Sequence, residues 1–265
     1  MTDELTRLYD SYVDTYRGAD GALPEMMELK REHTRFVVEN AAAIADGEGF
    51  SPEERELALA AALLHDTGRY EQLRRYNTFR DSDSVDHAVF SHDIVKERGW
   101  LEQVERRGGG VGGGGGGGVG WREVVLKAVL YHNRREIPDG LDPLTELVSH
   151  TVRDADKLDI FRVLERQLAL ADGHEDKKAF WNLPFDGPLS AEVADCIERR
   201  RPVDYQNIKS LADFVMIQVG WMVSGLHFAT TRRICRERGH LAYRRAFLHK
   251  IVDSPAVDRI CDLVS

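Results

Sequence analysis

Leu57-Ala58-Leu59-Ala60-Ala61-Ala62-Leu63-Leu64-His65-Asp66-Thr67-Gly68-Arg69 is the stretch that decides how this chain folds. An alanine- and leucine-rich run is strongly helical, and one apolar on every side belongs in a core. Its start is marked upstream. In Ser51-Pro52-Glu53-Glu54 the serine can cap orphan N–H groups, the proline suits the first helical position, and Glu54 can close a capping box. The helix then runs to His65-Asp66, where Gly68 is placed to serve its C-terminus. Adjacent residues on a helix point about 100° apart, so His65 and Asp66 reach one ion together only if the helix end is aimed at it. An imidazole beside a carboxylate there is a mixed nitrogen and oxygen metal grip, which suggests metal-dependent phosphate chemistry.

Outward from that helix the same period recurs. Helices are expected over Glu4 to Tyr16, Pro24 to Ala45 with His33 inside it, Val85 to Arg98, Arg122 to His132, and Pro143 to Leu170. Beyond Asp186 come Leu189 to Arg200, a long apolar helix from Leu211 to Arg238, and pieces near Leu241 to Val252 and Ala256 to Val264. No alternating segment is flanked by hairpin dipeptides, so the fold class is all-α. Met216, Trp221, Met222, Leu226 and Phe228 read as core. The run from Arg107 to Trp121 holds nearly half of the 23 glycines and reads as a flexible loop. It lacks the lysine and hydroxyl of a phosphate-binding loop.

Composition narrows the function. At 265 residues and 42% apolar content the chain can bury a sizeable core. A net charge of −9 is the wrong sign for non-specific binding of long nucleic acid, although a small nucleotide can still bind locally. The three cysteines are far apart and form no CxxC pair, which excludes a thiolate zinc site and fits a reducing compartment. The acidic start Met1-Thr2-Asp3-Glu4 is unlike a signal peptide, and no apolar run is long enough to span a membrane, so a cytoplasmic protein is expected.

His33, then His65-Asp66, then Asp156 in Val152-Arg153-Asp154-Ala155-Asp156-Lys157-Leu158-Asp159 resembles the HD-domain superfamily of metal-dependent phosphohydrolases. The resemblance covers about Lys30 to Phe161. It implies a helical bundle with a core over about residues 24–170 and a helical extension over about 189–265, in a single domain. Asp154 competes with Asp156, since the two point about 200° apart and only one can face the ion; Asp159 is placed to orient a ligand. His87, in Ser84-Val85-Asp86-His87-Ala88-Val89-Phe90-Ser91, resembles the family segment that carries a further histidine, with Ser91 where glycine is usual. His132, in Tyr131-His132-Asn133, resembles the histidine closing the next helix in two-metal members. The implied ligand set is His33, His65, Asp66, His87, His132 and Asp156, with Asp66 bridging two ions. His92 rivals His87, His150 could support a ligand, and His174, His227, His240 and His249 have no matching context.

The resemblance implies a phosphohydrolase that cleaves a phosphomonoester or phosphodiester of a small molecule, with a nucleotide among the candidates, by a metal-activated water. Its cofactor is a pair of divalent transition-metal ions, manganese or iron first and cobalt, nickel or zinc behind them. Asp66, Arg69 and Lys157 are the catalytic candidates. Arg69 stands where the family carries a cation after His-Asp-x-Gly; its alternative is an ion pair with Glu71 or Asp83. Tyr76 to Asp83 is either a substrate-gating loop or a connector whose Phe79 packs on the core and whose aspartates cap the next helix. Phe180 to Pro188 is either a pocket cover or an aromatic anchor for the C-terminal helices. Di-iron HD oxygenases share the ligand pattern, and a non-catalytic nucleotide-binding HD scaffold is the remaining alternative.

Overall fold

The computed structural model of the chain describes residues 1–110, 119–170 and 183–264. The fold is all-α, with no strand among the described residues. It divides into two compact units, 1–159 and 160–265. Most of the glycine-rich run and Phe180 to Asn182 lie outside the described residues, as does His174.

The first unit is built around α2 (Glu25–Glu48) and α3 (Pro52–Leu64), which pack on each other. Ser51 Oγ accepts from the Glu54 N–H at 3.2 Å and Glu54 Oε2 accepts from the Ser51 N–H at 2.7 Å, so the capping box is closed. Residues Leu57 to Leu64 of α3 are buried without exception, as its apolar circumference demands. α1 (Thr2–Asp14) packs on α3, and α3 packs on α7 (Trp121–Tyr131). α5 (His87–Glu97) lies against both α4 (Gly68–Tyr76) and α7. The long α8 (Pro143–Leu170) is tied to α2 by Asn40, whose Nδ2 donates to Ala155 O at 3.1 Å. The division between the units falls within α8, after Asp159.

Gly68 has a different job from the one its sequence suggests. It is the first residue of α4, not the terminator of α3, because Thr67-Gly68 turns the chain directly into a new helix. A Cβ on Gly68 would lie 2.7 Å from Ser91 N and 3.0 Å from His87 O, so only glycine lets α4 approach α5 this closely. Ser91 Oγ accepts the Gly68 N–H at 2.9 Å, which gives the serine a purpose where the family pattern has glycine. The expected helix ending at Arg98 does stop there, and left-handed Gly99 starts the further helix α6 (Trp100–Arg106).

In the second unit α9 (Ala191–Glu198), α10 (Leu211–Gly220), α12 (His240–Ile251) and α13 (Ala256–Cys261) enclose an apolar cluster that includes Val215, Met216, Val219 and Ile260. Phe185 packs against it, so the described part of the second aromatic loop is an anchor. The expected helix from Leu211 to Arg238 is broken. α10 gives way to a π-turn over Trp221–Gly225 and extended backbone at Leu226 and Phe228 before α11 (Ala229–Glu237). Carbonyls released by the break accept from arginines: Val223 O from Arg200 at 2.8 Å, Leu226 O from Arg232 at 2.8 Å. Fully buried Arg244 donates to Gln218, Glu165, the His240 carbonyl and the Phe161 carbonyl.

Candidate metal centre

α3 and α7 end in the same device. His65 follows the last residue of α3 and donates Nδ1–H to Ala62 O at 2.7 Å; His132 follows the last residue of α7 and donates to Val129 O at 2.7 Å. Each imidazole thus satisfies a carbonyl that the helix end would leave orphaned. A carbonyl only accepts, so both rings carry their proton on Nδ1 and present an Nε2 lone pair. The negative ends of two helix dipoles meet where those lone pairs point, which favours a cation.

The other two rings are fixed by carboxylates. His33, in the middle of α2, has Nδ1 at 2.6 Å from Asp159 Oδ2, and His87, the first residue of α5, has Nδ1 at 2.5 Å from Asp81 Oδ2. All four Nε2 atoms then converge. His33 and His65 Nε2 are 3.4 Å apart, and His87 and His132 Nε2 are 3.0 Å apart.

Asp66 lies between the pairs. Its Oδ2 is 3.6 Å from Nε2 of both His33 and His65, while its Oδ1 is 3.6 Å from His87 Nε2 and 3.8 Å from His132 Nε2. Asp156 Oδ1 joins the first pair, 3.1 Å from His33 Nε2 and 3.9 Å from His65 Nε2. Asp154 is also buried, but these approaches are made by Asp156. Asp159 accepts from His33 and does not approach its Nε2 face.

This donor set fits a divalent cation. The His87 and His132 Nε2 atoms, 3.0 Å apart with the rings' protons committed on the far side, set lone pair against lone pair, and a cation between them would reverse the sign of the interaction. His33, His65 and Asp66 form one group able to hold a metal, and Asp66, His87 and His132 form another. A third group, Asp81, Asp86 and His87, uses atoms with other duties: Asp86 Oδ1 caps α5 and accepts from Asn133 Nδ2 at 2.8 Å.

The electrostatics keep His65, His87, His132 and Asp66 in ligand form. Burial pushes His87 down to about 4, helped by the Arg69 charge, and burial with the neighbouring His65 does the same to His132. Burial also lowers His65. His33 differs: burial and Lys30 press it down, but the carboxylates of Asp156 and Asp159 outweigh them and raise it. Against a desolvation penalty, Lys30 and His65 hold Asp66 well below the usual carboxylate range.

Residues 31–160 match the HD domain family. Through these residues the chain belongs to the HD-domain superfamily. No curated protein and no solved structure matches the chain significantly. HD domains bind divalent metals and are typical of metal-dependent hydrolases, in keeping with the two groups of metal donors here.

Arg69, the expected phosphate contact, is tied into the protein. Its Nη1 donates to Gln72 Oε1 at 2.8 Å, Phe79 O at 2.6 Å and Asp81 Oδ1 at 3.0 Å, so its carboxylate partner is Asp81 rather than Glu71 or Asp83. Its Nε lies 3.5 Å from Asp66 Oδ1, buried and without a hydrogen-bond acceptor. Lys157 is half-buried beside Asp156, and burial pushes its ammonium down to about 8 against the attraction of Asp154. His92 meets Asp93, His150 pairs with Glu146, His227 packs edge-on against Phe228, His240 binds Glu165 and His249 binds Asp258.

Two residues that the sequence does not single out belong to the centre. Lys30 Nζ donates to Asp66 Oδ2 at 2.8 Å and lies 5.5 Å from the centre of the Phe79 ring. The signal is its position one helical turn before His33, which places both on one face of α2. Asp81 accepts from Arg69, from Gln72 Nε2 at 3.0 Å and from His87. The N-cap of α5 is Asp86, which lies beyond Tyr76 to Asp83, so the aspartates of that segment do not cap the helix as expected.

No helix of the described residues is long and apolar enough to cross a membrane.

Proposed function

We propose that this chain is a phosphohydrolase with a dinuclear metal centre, acting on a phosphomonoester or phosphodiester of a small molecule. The observation that carries the reading is Asp66, which turns one oxygen toward Nε2 of His33 and His65 and the other toward Nε2 of His87 and His132. A single carboxylate so placed would offer one oxygen to each of two cations.

On this reading His33, His65, Asp66 and Asp156 would hold one ion, and Asp66, His87 and His132 would hold the other. Two divalent ions lower the pKa of a bound water and stabilise charge on the attacking and leaving oxygens of a phosphoryl group. Imidazole and carboxylate donors suit manganese or iron, with cobalt, nickel or zinc possible by the same donor chemistry. In hydrolysis a water oxygen forms the new bond to phosphorus, the ester P–O bond breaks, and the proton released by the water goes to the leaving oxygen. The protein's part is to hold these atoms in place. Lys30 and Lys157 supply positive charge to the phosphoryl oxygens, and the Phe79 ring lies beside Lys30, its centre 5.5 Å from Nζ. Arg69 holds the segment bearing Phe79 against the centre.

The deciding experiment is elemental analysis combined with a screen of nucleotides and other phosphate esters in the presence of manganese. About two ions per chain and anaerobic phosphate release are expected. Consumption of dioxygen with an organic substrate, and no phosphate release, would move the chain to the oxygenase reading.

A further inference from the structure

Each of the four imidazoles is aimed by what its Nδ1–H meets, and three of those partners belong to the site's own helices. Ala62 O and Val129 O lie in α3 and α7, and Asp159, 1% exposed, lies in α8. His87 is the exception. Its partner Asp81 sits in a 3-10 turn, Asp81–Asp83, within the connector between α4 and α5, and its side chain is 34% exposed.

That connector is fastened by two side chains of α4. Arg69 Nη1 takes Phe79 O and Asp81 Oδ1, while Gln72 Nε2 takes Asp81 Oδ1, Ser84 Oγ at 2.8 Å and Val85 O at 3.1 Å. The two halves of the centre are also unequal in donors. His33, His65, Asp66 and Asp156 gather on one side of the bridge, but only Asp66, His87 and His132 on the other.

We propose that Asp81 is a positioning residue for the second metal ion, making occupancy of the His87, His132 and Asp66 half depend on the docked connector. This rests on the dinuclear reading above. By accepting the Nδ1 proton, Asp81 selects the tautomer that leaves Nε2 free and raises its basicity; losing such a partner typically costs about 10- to 100-fold in metal affinity. The half with four donors, aimed from helices alone, fills first. The three-donor half fills second and more weakly, and Arg69 serves it by clamping Asp81.

The test is a manganese titration of metal-free protein, followed by calorimetry and by the electron paramagnetic resonance signal of a spin-coupled manganese pair. The wild type is expected to take up two ions in separable steps and to develop the coupled signal. Asp81→Asn is expected to keep the tighter step unchanged, to weaken the other by about 10- to 100-fold, and to lose the coupled signal at moderate manganese. Asp159→Asn is expected to weaken the tighter step instead. If Asp81→Asn does not fold, Arg69→Lys, which keeps the carboxylate but loosens its clamp, is expected to weaken the same step selectively.

Equal weakening of both steps, or of neither, in either Asp81→Asn or Arg69→Lys overturns the inference. A wild type that takes up one ion refutes the dinuclear reading and this inference with it. Two ions in the wild type with no phosphate release from any ester refutes the phosphohydrolase reading alone.

Discussion

Lys30 Nζ lies 2.8 Å from Asp66 Oδ2, the same oxygen that faces His33 and His65 Nε2. An ammonium and a divalent ion therefore compete for one carboxylate oxygen. Lys30→Met removes the competitor and is expected to tighten manganese binding several-fold. It also takes from Asp66, 3% exposed, the nearer of its two cationic neighbours, leaving Arg69 Nε at 3.5 Å, so the metal-free protein should lose about 1–3 kcal/mol of stability. Thermal melts with and without manganese check both signs: the variant should melt lower than wild type without metal and recover the difference with it. A variant that binds manganese more weakly contradicts the competition.

Asp66→Asn tests the bridge. An amide keeps the size and burial of the side chain but offers one oxygen in place of two, so it cannot serve both histidine pairs. Metal content should fall from about two ions to at most one, and phosphate release by more than about 100-fold, beyond the range for residues that only orient a ligand. Retention of both ions would show that the two donor groups are held together by something other than this carboxylate.

Gly68→Ala should be disruptive although alanine is the better helix former. Its Cβ would meet Ser91 N at 2.7 Å and His87 O at 3.0 Å, and these are backbone atoms that cannot rotate aside. A loss of about 1–3 kcal/mol in chemical denaturation is expected from overpacking of this kind, with weaker metal uptake because His87 moves. Ser91→Ala should cost about 1–3 kcal/mol by a different route, the orphaned Gly68 N–H.

These contacts show where a sequence runs out. The capping box at Ser51 and the apolar circumference of α3 are local, so the helix carrying His65 can be read from its own residues. The family pattern likewise names the six donors that the fold gathers. Lys30 and Asp81 escape such reading for different reasons: Asp66 is 36 residues from Lys30, whereas His87 is only six residues from Asp81, but nothing in the local sequence says that the turn at Asp81 will face it. Gly68 misleads as Lys30 does. A glycine after an apolar helix looks like a terminator until α5 is seen lying against it. Gly220 is equally non-local, since a Cβ there would come within 2.9 Å of Ile197 Cγ1.

Acid should unfold the metal-free protein in two stages. His87 and His132 titrate near 4 when folded, chiefly through burial, but near 6.5 when unfolded, so between these values the unfolded chain binds more protons and stability falls as pH falls. His33, with a raised folded value, acts in the opposite sense at higher pH, contributing stability that is lost as pH rises through that value. The second stage is shared by carboxylates held low in the fold, Asp66, Asp81, Asp156 and Glu71; the Glu71 carboxyl is held down to about 2 by Arg74 first, then by Arg75 and Tyr16 against the cost of burial. Its stabilisation is complete above the unfolded value near 4.5 and disappears as pH falls toward 2. Denaturant midpoints measured from pH 2 to 8 should therefore rise through both windows. Glu71→Gln should reduce the slope of the lower one, to which Asp66, Asp81 and Asp156 still contribute, and leave the slope between pH 4 and 6.5 intact, whereas saturating manganese, which binds the histidines only when they are deprotonated, should steepen the upper one.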